Sequence, residues 1–326
     1  MTLAPYIRIL GRGPSRARAL TREEAGEAMT LILSGEAAPE AVGALLMLMR
    51  YRGESAAEIA GFTDVLKTSL EEGWHTVPAA LDWPSYAAGR TRGAPWFLLS
   101  AKLVAQAGFP VLLHGWNSHQ NPLASVRGAL PDLAIPLVET PTQAQAALAD
   151  GGVAYVSAEH LHAPALELLK LRDVLGLRSC LNTVLRMMNP ANAPAMVQGV
   201  FHPSYRELQT DAAALLGQGA LSVIKGGGGE FERHPAKSVE LLGLRDGVAF
   251  ETQIPALIVA NRRLHDPDLP LPSPQDLWTG AAQDDFATAC VTGTAALALM
   301  TCGIAADKAP DMAQELWHSR SPELAA

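Results

Sequence analysis

Residues 82–122 read DWPSYAAGRTRGAPWFLLSAKLVAQAGFPVLLHGWNSHQNP, and this stretch decides the fold. A polar, glycine-bearing loop at 87–93 leads to a run at 96–107 that is apolar on nearly every side, which predicts a buried helix. Gly108 follows where a left-handed cap is favoured, and residues 109–114 then form an apolar strand. The pattern is that of one β-loop-α-β unit in a parallel sheet.

Both loops of this unit point to one place for an anion. In open α/β sheets ligands bind beyond the carboxyl ends of the strands, next to helix N-termini that favour negative charge. Pro95 is a good first helical residue, because the N–H group it lacks would go unpaired there. We therefore expect any phosphate site of this protein at this edge of the sheet.

The rest of the chain divides into two parts with different patterns of predicted secondary structure. Residues 1–73 predict three or four short helices, two of them opened by capping boxes at Thr21/Glu24 and Ser55/Glu58. From about residue 81 strands alternate with helices, and a third capping box, Ser204 to Glu207, opens one of these helices. The fold class is α/β, with a small helical domain at 1–73, joined by part of 160–190, and a larger α/β domain at 74–326.

Composition bounds the class of protein. Of the 326 residues 48% are hydrophobic, but no apolar run approaches the roughly 20 residues that a membrane span needs. The three cysteines form no C-x-x-C pair, which is typical of reduced thiols. The first residues lack a basic segment followed by an apolar one. We expect a cytoplasmic, globular protein without a membrane partner.

The charge is unevenly distributed along the chain. The net charge is −8, yet residues 1–130 hold 12 basic against 11 acidic residues, while residues 131–326 hold 13 against 22. The first 22 residues contain five arginines and no acidic residue. A polyanion would prefer that end of the molecule. The alternative is a solvated cluster of arginines that flanks the helices.

Several phrases resemble the anthranilate phosphoribosyltransferase (TrpD) family, which is glycosyltransferase family 3. They are the helical phrase at 20–62, LHGWN at 113–117, LKLRDVLGLRSCLNTVLRMMNPAN at 169–192 and GGGGE at 226–230. The phrases at 7–25, 84–86 and 107–115, with the glycine loop, look closer still to the YbiB-type branch. That resemblance implies a TrpD-like fold in a dimer that joins through its helical domain and binds nucleic acid.

The departures from the family pattern concern its phosphate site. The family's phosphate loop carries glycines, threonine and aspartate, followed by an asparagine and Ser-Thr, whereas residues 87–96 read AAGRTRGAPW. The basic residue of the family's His-Gly-Asn-Arg phrase is missing, and one of its paired magnesium carboxylates remains as Glu230, preceded by Gly229. A single carboxylate is a poor magnesium site. We therefore expect no cofactor, and Mg²⁺ would come into question only if the chain is an enzyme.

The candidate site residues follow from these observations. His114 is interpreted as a satisfied core histidine rather than an acid or base, and Trp96 and Trp116 as core or as stacking platforms for bases. The glycines at 226–229 either admit a phosphate or only form a turn. The predicted phosphate or nucleic-acid contacts are Arg8, Arg12, Arg16, Arg18, Arg90 and Arg92, and the vestigial substrate cleft comprises Gly89, His114, Gly115, Asn117, Arg172 and Asn182.

Three functions remain open at this point. The leading hypothesis is a dimeric nucleic-acid-binding protein with no confident catalytic residue, which binds phosphates without regard to sequence. The second is a glycosyltransferase or phosphoribosyltransferase that uses a phosphorylated sugar donor, with Glu230 as its remaining metal ligand. The third is a dimerisation scaffold whose cleft is closed by Trp96.

Overall fold

The computed structural model describes residues 2–13, 15–86, 93–116, 124–260, 262–264 and 271–324. The chain begins with four helices: α1 (Ala4–Gly11), α2 (Arg22–Leu33), α3 (Pro39–Arg52) and α4 (Ala56–Thr68). The two predicted capping boxes are confirmed, because Thr21 and Ser55 each accept a backbone N–H three residues on and receive the glutamate in return.

An eight-stranded mixed sheet follows the helices. Its strands are β1 (Leu81–Ser85), β2 (Val111–Gly115), β3 (Leu137–Val138), β4 (Val153–Ser157), β5 (Ala195–Val200), β6 (Ala220–Lys225), β7 (Val239–Arg245) and β8 (Val248–Ile254). Their order in the sheet is β3-β4-β2-β1-β5-β6-β7-β8. The predicted α/β class with a small N-terminal helical domain is therefore confirmed.

Within the described residues, ten further helices connect and flank the strands. They are α5 (Phe97–Gln106), α6 (Val126–Ala129), α7 (Pro141–Gly151), α8 (Ala158–Lys170), α9 (Arg172–Leu175), α10 (Leu181–Arg186), α11 (Tyr205–Leu215), α12 (Pro274–Thr279), α13 (Asp285–Thr301) and α14 (Ala309–Ser319). Helix α13 packs on α5 and α14. It is buried along most of its length, as its nearly all-apolar sequence requires.

The register of the parallel strands aligns their carboxyl ends. Ser85 lies opposite Gly115, and Gly115 lies opposite Ser157. On the other side of β1, Val200 lies opposite Lys225. Because parallel strands end at the same edge of a sheet, the segments that follow these residues share one edge. This edge holds the candidate site.

The helical unit packs on the sheet through later parts of the chain. Helix α10 contacts α4 and α8, and α11 also contacts α4. One apolar cluster unites side chains of the first four helices with those of α8 and α10. This packing accords with the proposal that part of 160–190 joins the N-terminal helices, and the domain boundaries themselves stay a prediction.

Two local predictions were wrong. Helix α5 begins at Phe97 rather than Pro95, since Leu98 and Leu99 first bond three residues back in a tighter turn. Ser204 caps nothing with its side chain, because its backbone is already helical and the turn begins at His202. Helix α8 is interrupted at His162, whose backbone angles are not helical, and its second part begins near Pro164.

No helix within the described ranges combines the length and the apolar character that a membrane span needs.

Candidate functional site

His114 is buried within the sheet rather than exposed at its edge. Its side chain is buried, and Nε2 stands 3.2 Å from Oδ1 of the buried Asp82. The other ring nitrogen, Nδ1, is 3.1 Å from the Tyr86 hydroxyl. Burial raises the pKa of Tyr86 well above its ordinary value, so the hydroxyl remains a donor for Nδ1. The interpretation of His114 as a satisfied core histidine is confirmed.

Glu230 follows the glycine loop and turns inward. It is 2% exposed, and Oε1 accepts a hydrogen bond of 3.1 Å from the hydroxyl of Ser85 at the end of β1. Its backbone also lies against β5, since a Cβ on Gly199 would stand 2.0 Å from the Glu230 carbonyl carbon. Close backbone packing therefore holds this carboxylate in place.

Glu232 occupies the N-terminus of α5. This carboxylate has no exposed surface, and Oε2 accepts a hydrogen bond of 2.9 Å from the backbone N–H of Phe97. Carboxylates are stabilised there, because the first N–H groups of a helix have no partner within the helix. The predicted anion site at this N-terminus thus holds a carboxylate of the protein itself. A diphosphate would have to displace it.

The described residues contain no cluster of metal ligands. No three histidine, cysteine, aspartate or glutamate side chains of the described ranges converge as metal ligands. Glu230 and Glu232 are both buried, and each accepts a hydrogen bond from the protein. A magnesium ion needs open carboxylate oxygens beside a bound phosphate. The prediction that Glu230 binds metal therefore gains no support from its surroundings.

A cleft of about 440 Å³ opens between the helical unit and the carboxyl ends of β5 and β6. The charged side chains that line it are Arg50, Arg178 and Arg186, and none of its described lining residues is acidic. The exposed side chains of Leu177 and Phe201 add apolar surface. We call this cavity the arginine cleft.

The cations of the arginine cleft differ in how they are held. Arg50 donates a hydrogen bond of 2.8 Å to the Tyr205 hydroxyl, which in turn donates to Glu54. Burial raises the pKa of Tyr205 to about 12, so that hydroxyl stays protonated. Arg178 makes no hydrogen bond or ion pair with any described residue. Desolvation, and then the charges of Arg172 and Arg50, lower the pKa of Arg178, and a bound anion would relieve this repulsion.

A second cavity of about 440 Å³ lies on the other side of the glycine loop and shares Gly228 with the arginine cleft. We call it the lysine cavity. Its one acidic lining residue in the described ranges is Glu240, which pairs with Arg206 at 2.5 Å. The exposed cations of its wall are Lys225, Lys237 and Arg263. These three have no acidic partner among the described residues.

Arg186 fixes the loop that separates the two cavities. Its buried guanidinium donates from Nη1 to the carbonyl oxygens of Gly199 and Gly229. Desolvation lowers the pKa of Arg186, and the nearby carboxylate of Glu230 opposes this shift. Gly228 has a φ of 64°, which glycine adopts without strain. The loop is therefore held from inside, with its outer face open to both cavities.

The N-terminal arginines fall into two groups. Arg8, Arg12 and Arg16 are exposed and make no side-chain hydrogen bond or ion pair within the described parts of the chain. Arg18 instead forms a fork with the Glu24 carboxylate at 2.6 and 2.7 Å. Arg18 holds the pKa of Glu24 down at about 2, so this pair persists across the neutral range. The first three arginines remain open to a ligand.

Helix α1 packs beside α3, the helix that carries Arg50. A Cβ on Gly11 would stand 3.4 Å from Leu48 Cδ1, which places the end of α1 beside the last turns of α3. Arg12 follows Gly11 directly, and Arg50 lies two residues after Leu48. The exposed cations of the N-terminus and those of the arginine cleft are thus on neighbouring elements.

The remaining predicted residues lie at the cleft rim, in the core or outside the described ranges. The guanidinium of Arg172 lies 5.6 Å from the ring centroid of the half-buried Trp116. The side-chain amide of Asn182 donates a hydrogen bond of 3.1 Å to the backbone carbonyl of Tyr86. Trp96 is fully buried and donates to the Pro272 carbonyl, which agrees with its interpretation as a core residue and leaves no face for stacking a base. Gly115 is the last residue of β2, and a Cβ on it would stand 2.0 Å from the backbone oxygen of Ser85. Gly89, Arg90, Arg92 and Asn117 lie outside the described residues.

Sequence reasoning missed several residues of this edge. Glu232 lies two positions after Glu230, in the sequence GEFER. Its hydrogen-bond partner Phe97 lies 135 residues earlier in the chain. The missed cations are separated along the chain and share no motif: Arg50, Arg178, Lys225, Lys237 and Arg263. Lys225 could have been found from the sequence, because it directly precedes the glycine loop.

A helical bundle packed on a mixed sheet, with a cleft at the carboxyl ends of the parallel strands, is the architecture of a two-domain glycosyl transferase. Two family models match the chain accordingly: "Glycosyl transferase family, helical bundle domain" over residues 4–70 and "Glycosyl transferase family, a/b domain" over residues 98–260. The chain belongs to this family, the TrpD-like glycosyltransferase family 3.

Its curated relatives include anthranilate phosphoribosyltransferases. That of Symbiobacterium thermophilum is 30% identical over 241 residues, which cover 74% of this chain and 70% of the relative. That of Geobacillus kaustophilus is 28% identical over 72% of this chain and 68% of the relative.

Solved structures of the same enzymes share the fold. TrpD from Thermus thermophilus superposes with a TM-score of 0.78 at 22% identity, over 98% of this chain and 95% of that one. The Saccharomyces cerevisiae enzyme, in complex with PRPP and Mg, gives a TM-score of 0.74 at 15% identity, over 97% and 93%.

Proposed function

We propose that this protein binds nucleic acid through its phosphates, along a basic track. The track runs from the exposed N-terminal arginines through the arginine cleft and across the glycine loop to the lysine cavity. The observation that carries the proposal is the shared wall at Gly228, with unpaired cations on both sides. Phosphate oxygens fit such a path, because lysine and arginine supply charge and donors without base readout.

The occupied helix N-terminus supports the same proposal. Glu232 holds the position at Phe97 where a sugar diphosphate is expected, while the exposed cations lie outside it. The net charge of −8 does not oppose local binding. At moderate salt, interactions between exposed charges are screened beyond about 10 Å, so the cations nearest the ligand contribute most of the electrostatic attraction.

Fluorescence anisotropy with a labelled oligonucleotide of mixed sequence tests the proposal. We expect binding at low salt that varies little with sequence and weakens steeply as salt rises, because bound phosphates release counterions. Arg178→Ala and Lys237→Ala should each weaken binding. Lys308→Ala is a matched control, since Lys308 is exposed and lies outside both cavities. Absence of binding at low salt would refute the proposal.

A second candidate is transfer of a phosphorylated pentose, which the kinship with anthranilate phosphoribosyltransferases favours. In this reading Mg²⁺ and Glu230 would serve a phosphoribosyl diphosphate donor. An assay with that donor, anthranilate and Mg²⁺ separates the candidates by the loss of anthranilate fluorescence. Turnover would establish the transferase, and its absence together with oligonucleotide binding would favour the nucleic-acid function.

We also propose a homodimer that joins through the helical unit. Tyr51 in α3 and Val174 in α9 are 91% and 83% exposed. Their helices are neighbours, since Leu175 lies 3.7 Å from the position of a Cβ on Gly43. Sedimentation equilibrium should give twice the monomer mass, and Tyr51→Ser with Val174→Ser should lower it. A monomer at all concentrations would contradict this proposal.

A further inference from the structure

Phe201 presents an open aromatic ring to the arginine cleft. It is the first residue after β5, its side chain is 60% exposed, and it lines the cleft next to Gly228. The His202 ring meets it edge to face, with the centroids 4.9 Å apart. Single exposed apolar residues are common on proteins. Phe201 differs from them in its place, because it lines the same cleft as Arg50 and Arg178.

The surroundings of Phe201 combine a ring face with positive charge on two sides. Arg50 and Arg178 line the arginine cleft with it, and the cations of the lysine cavity lie across Gly228. Leu177, which is 56% exposed, adds further apolar surface to the same wall. A ligand that matches this wall carries a planar apolar ring between negative groups. One nucleotide within a strand has this composition.

We propose that the nucleic acid is single-stranded where it crosses the arginine cleft and that one of its bases stacks on Phe201. This inference rests on the proposed nucleic-acid function and adds to it the class of strand. A base in a duplex is stacked between its neighbours and offers only its edges and phosphates, whereas a single strand can present a whole base face. Stacking on an aromatic side chain also tolerates any base, since every base has a π-face.

The two tryptophans cannot take this role. Trp96 is fully buried beneath the residues around Pro272, and Trp116 is half-buried under the Arg172 guanidinium. Tyr205 lines the cleft too, but its hydroxyl is engaged between Arg50 and Glu54. Phe201 is exposed, whereas Tyr205 is half-buried.

The test compares a single-stranded oligonucleotide with a duplex of the same length, by anisotropy at one salt concentration. Phe201→Ala should weaken single-strand binding by about five- to 150-fold, the range that loss of one stacked base implies. Duplex binding should stay within about twofold, because the arginines and lysines are unchanged. Phe201→Trp should restore single-strand binding.

Two controls separate stacking from a general loss. Val248→Ala removes another exposed apolar side chain, 69% exposed at the start of β8, and should change neither affinity. A strand with abasic sites at its centre should bind the parent and Phe201→Ala alike, since no base remains to stack. Thermal unfolding of Phe201→Ala should match the parent, because the ring is exposed.

The outcomes distinguish the two proposals. If no oligonucleotide binds at low salt, the nucleic-acid function itself fails. If oligonucleotides bind, but Phe201→Ala leaves the single strand unchanged or weakens strand and duplex equally, the stacking inference fails and phosphate-directed binding stands. If benzoate, a planar aromatic acid, binds in the cleft and oligonucleotides do not, both proposals are overturned.

Discussion

The Glu232 carboxylate accepts a hydrogen bond from the backbone N–H of Phe97, at 2.9 Å, on the first residue of α5. This contact joins the segment after the glycine loop to the helix that follows β1, 135 residues earlier. It also places a negative charge where the helix N-terminus attracts anions. The protein therefore carries its own occupant for that position.

Glu232→Ala should destabilise the fold. The substitution removes the buried hydrogen bond from the N–H of Phe97 to Oε2, and the loss of such a bond costs about 1–3 kcal/mol in the free energy of unfolding. Glu232→Gln keeps an acceptor oxygen and should cost less. Urea denaturation measures both values. Equal stability of Glu232→Ala and the parent would show that the contact contributes nothing.

Glu232→Gln should also expose the helix N-terminus to added anions. With the carboxylate charge removed, we expect inorganic diphosphate to bind more tightly than it binds the parent, as isothermal titration calorimetry can measure. Glu240→Gln is the matched control, since it removes a carboxylate from the lysine cavity rather than from α5. If diphosphate binds the parent and Glu232→Gln equally, the carboxylate does not block the site.

The two cavities should contribute separate phosphate contacts. Arg178→Ala and Lys237→Ala should each reduce the slope of log K against log salt by about one, and the double variant by about two. The effects should add, because the residues line different cavities that meet only at Gly228. Anisotropy titrations at four salt concentrations measure the slopes. Unchanged slopes in both single variants would remove these residues from the track.

Stability should fall at acidic pH through His162. Its Nε2 lies 2.8 Å from the Ser69 hydroxyl and Nδ1 accepts the Ala165 N–H, so the ring is neutral. Desolvation lowers the pKa of His162 below the ordinary value of 6.5 in the folded state. The unfolded chain therefore binds more protons below about pH 6.5, and the free energy of unfolding decreases from there downward.

His162→Ala should flatten this acid dependence and cost about 1 kcal/mol at neutral pH, where the Ala165 cap is lost. Urea denaturation between about pH 7.5 and about pH 5 measures both effects. His234 has a pKa lowered by burial in the same direction, so part of the slope should persist until it is replaced too. A slope that is the same in parent and double variant would assign the acid loss to other groups.

The glycine loop should depend on Gly199. A Cβ at this residue would stand 2.0 Å from the backbone carbon of Glu230 and 2.4 Å from the N of Phe231, neither of which can move aside alone. Gly199→Ala should cost about 1–3 kcal/mol and weaken oligonucleotide binding through a displaced loop. Gly219→Ala is the control, because nothing lies within 4 Å of its Cβ position. Thermal unfolding and anisotropy test the pair.

Local patterns explain the parts of the fold that were predicted correctly. The capping boxes at Thr21 and Ser55 depend on residues three apart, so the sequence contains both partners. Ser204 shows the limit of such patterns. An N-cap residue needs extended backbone angles, but the turn that begins at His202 already gives Ser204 helical angles, so its side chain does not cap the helix.

The sequence by itself determined the two-part architecture, the strand and helix alternation and the family, because apolar periodicity and short motifs act over a few residues. It also pointed to the edge of the sheet where the two cavities lie. Only the tertiary structure decided which charges meet there. Glu232 reaches Phe97, and Arg178 comes to lie across Gly228 from Lys237, through strand order and helix packing. Contacts between residues so distant along the chain leave no periodic trace in it, so their charges converge only once the sheet has formed.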